Sequence, residues 1–339
     1  MNGSKLVIFD LEELYANHLM DYISDKKGMP FQTVVFTRKL EMLEYLANNS
    51  VDILLIEATQ MCEEITKFDI GKIILLSDGS ILSEYIGYDS IFKFKSAENI
   101  VREVLDYFVD LRKDYSPLST SSAKAEVIGV YSPVGRCGKT SYALALGQVL
   151  AEEYKSLYIN LEDYASFEEL TDINCPSDLS DLMYYFKQNP EMIAIKLQAI
   201  VRTVNNLDYV APIFYAKDLR DIETPEWIKL IDSIARAESY EKIIVDIGTM
   251  LGDIESMLEY CDTVFLPTTK DYLSVRKVET FKTILDRGGK KQLLDKLIEV
   301  QLPSVDEMNE FSAEVLEVSK LGEFAKEQIR KVERSRIEH

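Results

Sequence analysis

The chain has 339 residues, 47% of them hydrophobic and 28% charged, and a formal net charge of -20. That length and balance fit two soluble globular domains, and the acidic field argues against non-specific binding of nucleic acid or anionic lipid. Four scattered cysteines without C-x-x-C spacing and only two histidines leave almost no material for a zinc site and fit a reducing compartment.

The first apolar run, Leu6 to Phe9, reads as a buried strand ending at Asp10 and is too short for a signal peptide. No apolar run approaches bilayer-spanning length, so a soluble, cytoplasmic protein is expected. Thr33–Phe36 is a second strand. Leu40 to Asn48 reads as a helix with Leu40, Leu43, Leu46 and Ala47 on one face. Val51–Ile56, ending at Glu57, Lys72–Leu76, ending at Ser77, and Ser90–Phe94 complete five strands. A helix from Ala97 to Leu111 aligns Ile100, Val101, Val104, Leu105 and Phe108. Strands alternating with helices predict a doubly wound α/β domain over residues 1–112. Five of the twelve residues 113–124 are Ser or Thr without periodicity, which predicts a linker.

A second α/β domain is expected over 125–339. Val127–Tyr131 reads as its first strand, followed by a glycine-containing loop and a helix from Lys139 to about Tyr154. Leu157–Leu161, Tyr209–Tyr215, Lys242–Asp246 and Thr263–Pro267 read as strands. Asp178–Lys187, Glu191–Val204, Glu226–Arg236 and Ser312 to about Arg334 read as helices.

Residues 133–140, Pro-Val-Gly-Arg-Cys-Gly-Lys-Thr, stand between that first strand and its helix. A G-x-x-x-x-G-K-[ST] loop turns successive backbone N–H groups around phosphates, and the helix N-terminus adds a favourable dipole. Val134, Gly135, Arg136, Cys137, Gly138, Lys139, Thr140 and Ser141 are the candidate nucleotide contacts. Lys139 supplies counter-charge, and the Thr140 hydroxyl is a candidate Mg²⁺ ligand. Pro133 replaces the first glycine and has no N–H, so it fits only where the cradle needs no donor. Arg136 reads either as a solvated charge or as a contact to phosphate or a partner subunit. Cys137 reads as a small residue in a tight loop. Asp246, at the end of Ile243-Ile244-Val245, is either the companion acid of the Mg²⁺ site or a strand-end cap. Gly248 offers a backbone N–H to a γ-phosphate.

These segments resemble the deviant phosphate-loop ATPases of the MinD and ParA group. The resemblance rests on the strand–loop–helix at 127–154, the acids at 157–163, Tyr-Glu-Lys-Ile-Ile-Val-Asp at 240–246, Cys-Asp-Thr-Val-Phe-Leu-Pro-Thr-Thr at 261–269 and Ser274-Val275-Arg276. With a receiver-like domain in front, the chain looks like the TadZ/CpaE branch, the polar-localisation ATPases of Flp-type pilus assembly. The resemblance implies ATP and Mg²⁺ as cofactors and a homodimer. It also implies partners among pilus assembly and secretion proteins at the inner membrane, and gathering at a cell pole through them. Where that group carries a lysine that crosses the dimer interface, this chain has Val134, and Arg136 stands where a glycine is usual. The resemblance thus implies slow or absent hydrolysis, and Arg136 is a candidate for the replacement charge. Where the group has D-x-D, this chain has Asn160-Leu161-Glu162. Glu162 either orients water or metal as a catalytic group beside Lys139, or is a polar loop residue.

A working receiver carries a phosphoacceptor aspartate, an acidic pair, a Ser or Thr and a lysine at strand ends. This chain offers Glu57, Asp10 with Glu12, Ser77 and Lys93, which reads as a degenerate receiver held by a Glu57–Lys93 ion pair. The final segment has Val315, Val318, Phe324 and Ile329 near helical spacing. Its acidic residues dilute the basic face and argue against membrane insertion. A catalytically inactive nucleotide-locked scaffold or signalling adaptor, and a partition or cell-division positioning ATPase, are the alternative readings.

Overall fold

The computed structural model describes residues 4–26, 29–79, 85–111, 124–163, 177–213, 221–237, 239–249, 251–303 and 316–337. The chain divides into two compact units, Met1–Pro117 with Ala194–Ala199, and Leu118–Ile193 with Ile200–His339. The expected linker lies outside the described residues except for Lys124. That residue belongs to the second unit, paired with Asp232 at 3.0 Å and lying over the Tyr260 ring.

The first unit is built on β1 (Ser4–Phe9), α1 (Glu13–Asp25), β2 (Phe31–Phe36), α2 (Lys39–Asn48), β3 (Val51–Glu57), β4 (Ile70–Ser77), β5 (Asp89–Phe92) and α3 (Ala97–Leu111). Its strands are all parallel, in the order β2-β1-β3-β4-β5. This is the flavodoxin-like doubly wound order, which brings strand C-termini to one edge. β1 and β3 are apolar almost throughout, as strands covered on both faces must be. The expected alternation breaks between β3 and β4. Two short 3-10 turns, Ala58–Gln60 and Ile65–Lys67, stand where a helix belongs, and they bury Ala58, Met61 and Ile65 in the core.

At that edge the expected Glu57–Lys93 pair does not form. Lys93 instead reaches Asp10 at 2.8 Å, with Glu12 farther off at 3.6 Å. Glu57 accepts the Leu11 N–H at 3.3 Å and the Thr59 hydroxyl at 3.0 Å. Burial decides between the two acids. The Asp10 side chain is 0% exposed and needs a counter-charge, whereas Glu57 stays half-buried and is satisfied locally. Burial disfavours the ammonium of Lys93, but the hydrogen bond and attraction of Asp10 outweigh it and hold its pKa above the ordinary lysine value.

The second unit contains β6 (Glu126–Val130), α4 (Lys139–Ala151), β7 (Ser156–Leu161), α5 (Leu179–Gln188), β8 (Arg202–Val204), β9 (Leu207–Tyr209), α7 (Thr224–Arg236) and β10 (Lys242–Ile247), while α6 (Ile193–Ile200), apart from its two end residues, is counted with the first unit. It continues with α8 (Ile254–Tyr260), β11 (Thr263–Thr268), α9 (Tyr272–Arg287), α10 (Lys291–Lys296), β12 (Leu297–Gln301) and α11 (Lys320–Ile337). The sheet order is β12-β11-β6-β10-β7-β9-β8, parallel except for the β8–β9 hairpin. That hairpin corrects the helix expected as far as Val204. Asn205 and Asn206 both take left-handed backbone, at φ 46° and 62°, the geometry of a two-residue hairpin turn. Phe214 and Tyr215 of the expected strand, and Ser312 to Val315 of the expected final helix, fall outside the described residues.

β6 sits between β10 and β11, and α4 is buried without a break from Tyr142 to Leu150. A buried leucine of this kind contributes about 2 kcal/mol. Gly147 lets the Leu207 side chain lie close to α4, since a β-carbon there would lie 2.8 Å from Leu207 Cδ2. α11 packs on α4 through Leu321 and Ala325, with Phe324 edge-on to Tyr142. Its apolar side is therefore occupied by the core. Among the described residues, no helix is long and apolar enough to cross a membrane.

Candidate functional site

β6 ends in the middle of its sheet, and the chain turns through 131–138 into α4. The turn is fastened to the end of β11. The Ser132 hydroxyl donates to the Pro267 carbonyl at 2.6 Å and accepts the Val134 N–H at 3.1 Å. The Cys137 thiol donates to the same carbonyl at 3.7 Å. Val134 and Cys137 are buried in a small apolar cluster with Leu266 and Val278. Val134 is thus a packing residue whose N–H is already taken, while Gly135 and Arg136 between the two anchors are exposed. Arg136, at φ 58°, and Gly138, at φ 86°, are left-handed and give the loop its curl.

The first hydrogen bond into α4 runs from the Tyr142 N–H to the Gly138 carbonyl at 2.9 Å. Among the described residues, no N–H from Gly135 to Thr140 donates to anything. Such a run of unclaimed donors at a helix N-terminus suits an anion. The Thr140 and Ser141 hydroxyls, half-buried in the first turn of α4, also have no partner there. These free donors and hydroxyls fit a nucleotide phosphate chain and its magnesium ion.

Lys139 stands at the centre. Its ammonium pairs with Asp246 and, at 2.7 Å, with Glu162. Burial works against its charge, but Asp246 and then Glu162 outweigh burial and hold its pKa above the ordinary lysine value. Asp246 is fully buried near the end of β10, registered against Val130 of β6 on one side and Asn160 of β7 on the other. Gly248 lies against Glu162, where a β-carbon would fall 2.7 Å from the Glu162 Cδ. Asp163 accepts the Thr249 hydroxyl at 2.6 Å. Arg136 has no ion pair among the described residues.

The fold therefore gathers Lys139, Glu162, Asp246 and Gly248 in one place. Sequence reading missed Tyr158. Its hydroxyl donates to Asp246 Oδ2 at 3.0 Å and accepts from Asn160 Nδ2 at 3.1 Å, while Asn160 Oδ1 accepts the Glu162 N–H at 2.8 Å. Burial and the neighbouring Asp246 push the phenol well above its ordinary pKa, so it remains a donor. The signal was available, since Tyr158 and Asn160 alternate with Leu157, Ile159 and Leu161 and so share one face of β7.

No family model matches the chain, and no curated protein matches it. Among solved structures it is similar to a ParA family ATPase from Chlorobium tepidum TLS, at 18% identity over 59% of this chain and 96% of that one, with a TM-score of 0.46. A putative plasmid partition protein from Borrelia burgdorferi B31 bound to AMPPNP is 18% identical over 60% of this chain and 99% of its own, with a TM-score of 0.42. The MinC:MinD cell division protein complex of Aquifex aeolicus gives 16% identity, 55% and 72% coverage and a TM-score of 0.40. At these identities and scores the likeness carries no argument about activity.

Proposed function

We propose that the chain binds ATP with Mg²⁺ at the 133–141 loop and acts as a homodimerising spatial organiser of pilus assembly machinery, with slow or absent hydrolysis. The observation that carries nucleotide binding is the run of N–H groups from Gly135 to Thr140, around Lys139, that donate to nothing among the described residues. In this reading the loop N–H groups and Lys139 bind phosphate oxygens. Thr140 and Asp246 hold the metal, Glu162 is the candidate for positioning water, and Gly248 approaches the terminal phosphate. Bound magnesium supplies charge neutralisation on the phosphates. The pilus role and the inner-membrane partners rest on the sequence resemblance stated above. Identifying the nucleotide that co-purifies with the protein, together with its oligomeric mass, tests the reading. ATP or ADP accompanying a dimer is expected, and a chain that retains and binds no nucleotide with magnesium sinks it.

Two further parts complete the proposal. Residues 1–112 form a degenerate receiver for docking or dimerisation, and the nucleotide domain begins near 125. Support for the receiver comes from the β2-β1-β3-β4-β5 order with Asp10, Glu57, Ser77 and Lys93 at strand ends. Arg136 supplies positive charge to the phosphates in place of the residue that Val134 replaces. Because Arg136 is exposed and has no ion pair among the described residues, Arg136→Ala is expected to weaken ATP binding about tenfold, the loss of one charge-assisted hydrogen bond. Calorimetric titration checks this, and unchanged affinity and dimerisation remove Arg136 from the site. A nucleotide-locked scaffold is the second reading, favoured by the buried, uncharged Val134. A phosphate-release assay separates it from a slow ATPase.

A further inference from the structure

The contacts around Lys139 close into a ring. Lys139 bonds Asp246, Asp246 accepts from Tyr158, Tyr158 accepts from Asn160, Asn160 accepts the Glu162 N–H, and the Glu162 carboxylate returns to Lys139. Two carboxylates face one ammonium, so the side chains at the centre of an anion cradle sum to one negative charge. A phosphate placed on Lys139 meets that charge at close range, where Coulomb repulsion is strong.

The two acids are not held alike. Asp246 is 0% exposed and anchored from behind by Tyr158. Glu162 is 26% exposed, and Lys139 is its side chain's sole ion pair among the described residues. The space for its carboxylate exists because Gly248 has no β-carbon. Its backbone, in contrast, is fixed by Asn160, which aims the side chain at the loop.

Resting on the nucleotide-binding reading above, we propose that Glu162 is a built-in competitor for Lys139, an internal anion that a nucleoside di- or triphosphate must displace. The exchange needs no bond-making chemistry. The carboxylate swings toward solvent, and a phosphate oxygen takes its place on the ammonium. Asp246 stays, held by Tyr158. Binding is thereby weakened by a residue of the site itself, which tunes how readily nucleotide enters and leaves.

Glu162→Gln keeps the size of the side chain and removes its charge, and Glu162→Ala removes the group altogether. Affinity for ATP, measured calorimetrically in EDTA, is expected to rise about tenfold in both variants. A rise in Glu162→Ala alone marks crowding rather than charge and overturns the proposal. It is also overturned if the native chain binds ATP while Glu162→Gln binds equally or more weakly in EDTA, since removing a charge that competes with phosphate must raise affinity when no metal is present. If neither the native chain nor the variants bind nucleotide under any metal condition, the nucleotide reading fails and this inference fails with it.

Discussion

Lys139→Ala is expected to lower ATP affinity by a factor on the order of 100 or more, because two charge-assisted hydrogen bonds at about 1.5 to 3 kcal/mol each are lost. The remaining side chains make matters worse. Asp246 and Glu162 stay behind without their shared ammonium, and a phosphate then faces two carboxylates with only backbone donors in its favour. The substitution also acts on folding. Asp246 is fully buried, and removing the partner of a buried charge costs roughly 3 kcal/mol or more, with Tyr158 left as its side-chain donor. Urea unfolding and calorimetric titration of the same sample measure both losses. A second substitution separates them. Lys139→Ala with Asp246→Asn removes the stranded charge, so stability is expected to recover in part while binding does not. Binding that survives in Lys139→Ala at native strength contradicts the placement of phosphates on this loop.

The loop itself was legible because its signals are local. An apolar strand, Gly138-Lys139-Thr140 and an apolar helix stand next to one another in the chain, and each demands its neighbour. Asp246 was legible for a similar reason, as an acid at the end of an apolar strand in an α/β pattern. The ring was not, because its members come from α4, β7 and β10 and meet only through register. Nothing in the order of residues says that Asp246 lies beside Asn160 until β10 pairs with β7. The elements missed after β11 have a different cause. α9 buries only Ser274, Val278 and Leu285, a stripe too narrow to stand out among its charged residues. The β8–β9 hairpin was hidden because the preceding apolar residues run on at helical spacing, and Asn205-Asn206 was not weighed as a turn. In the first unit the four strand-end groups were identified, but the partner of Lys93 was not. Choosing Asp10 over Glu57 requires knowing which carboxylate is sealed from water, and that depends on packing rather than spacing.

Lys93→Met tests that choice, with an expected cost of roughly 3 to 5 kcal/mol to the first unit. Lys93 and Asp10 are 5% and 0% exposed, so solvent does little to replace the lost partner. Asp10 retains the Glu12 N–H at 2.9 Å on Oδ1 but loses the ammonium, which donates to Oδ1 at 2.9 Å and lies 2.8 Å from Oδ2. Hydrogen exchange over residues 4–26 and 70–79 is the direct measure, with protection falling by about two to three and a half orders of magnitude, on the order of 1.4 kcal/mol per tenfold. Asp10→Asn combined with Lys93→Met removes both charges and is expected to recover much of the loss, because a buried pair replaced as a unit is close to neutral. The direction of the pKa shift fixes the alkaline behaviour. Lys93 is raised above its unfolded value, so its contribution is fully present below the ordinary lysine range and is lost only as pH rises through the higher folded value. Native protein should therefore keep this protection through mildly alkaline pH. Had Glu57 been the true partner, Glu57→Gln would strand Lys93 and reproduce the Lys93→Met loss. With Asp10 in that place, Glu57→Gln is expected to cost less than about 1 kcal/mol, since the acid is only half-buried, the amide oxygen keeps the Leu11 N–H and the Thr59 hydroxyl can turn to accept from the amide nitrogen.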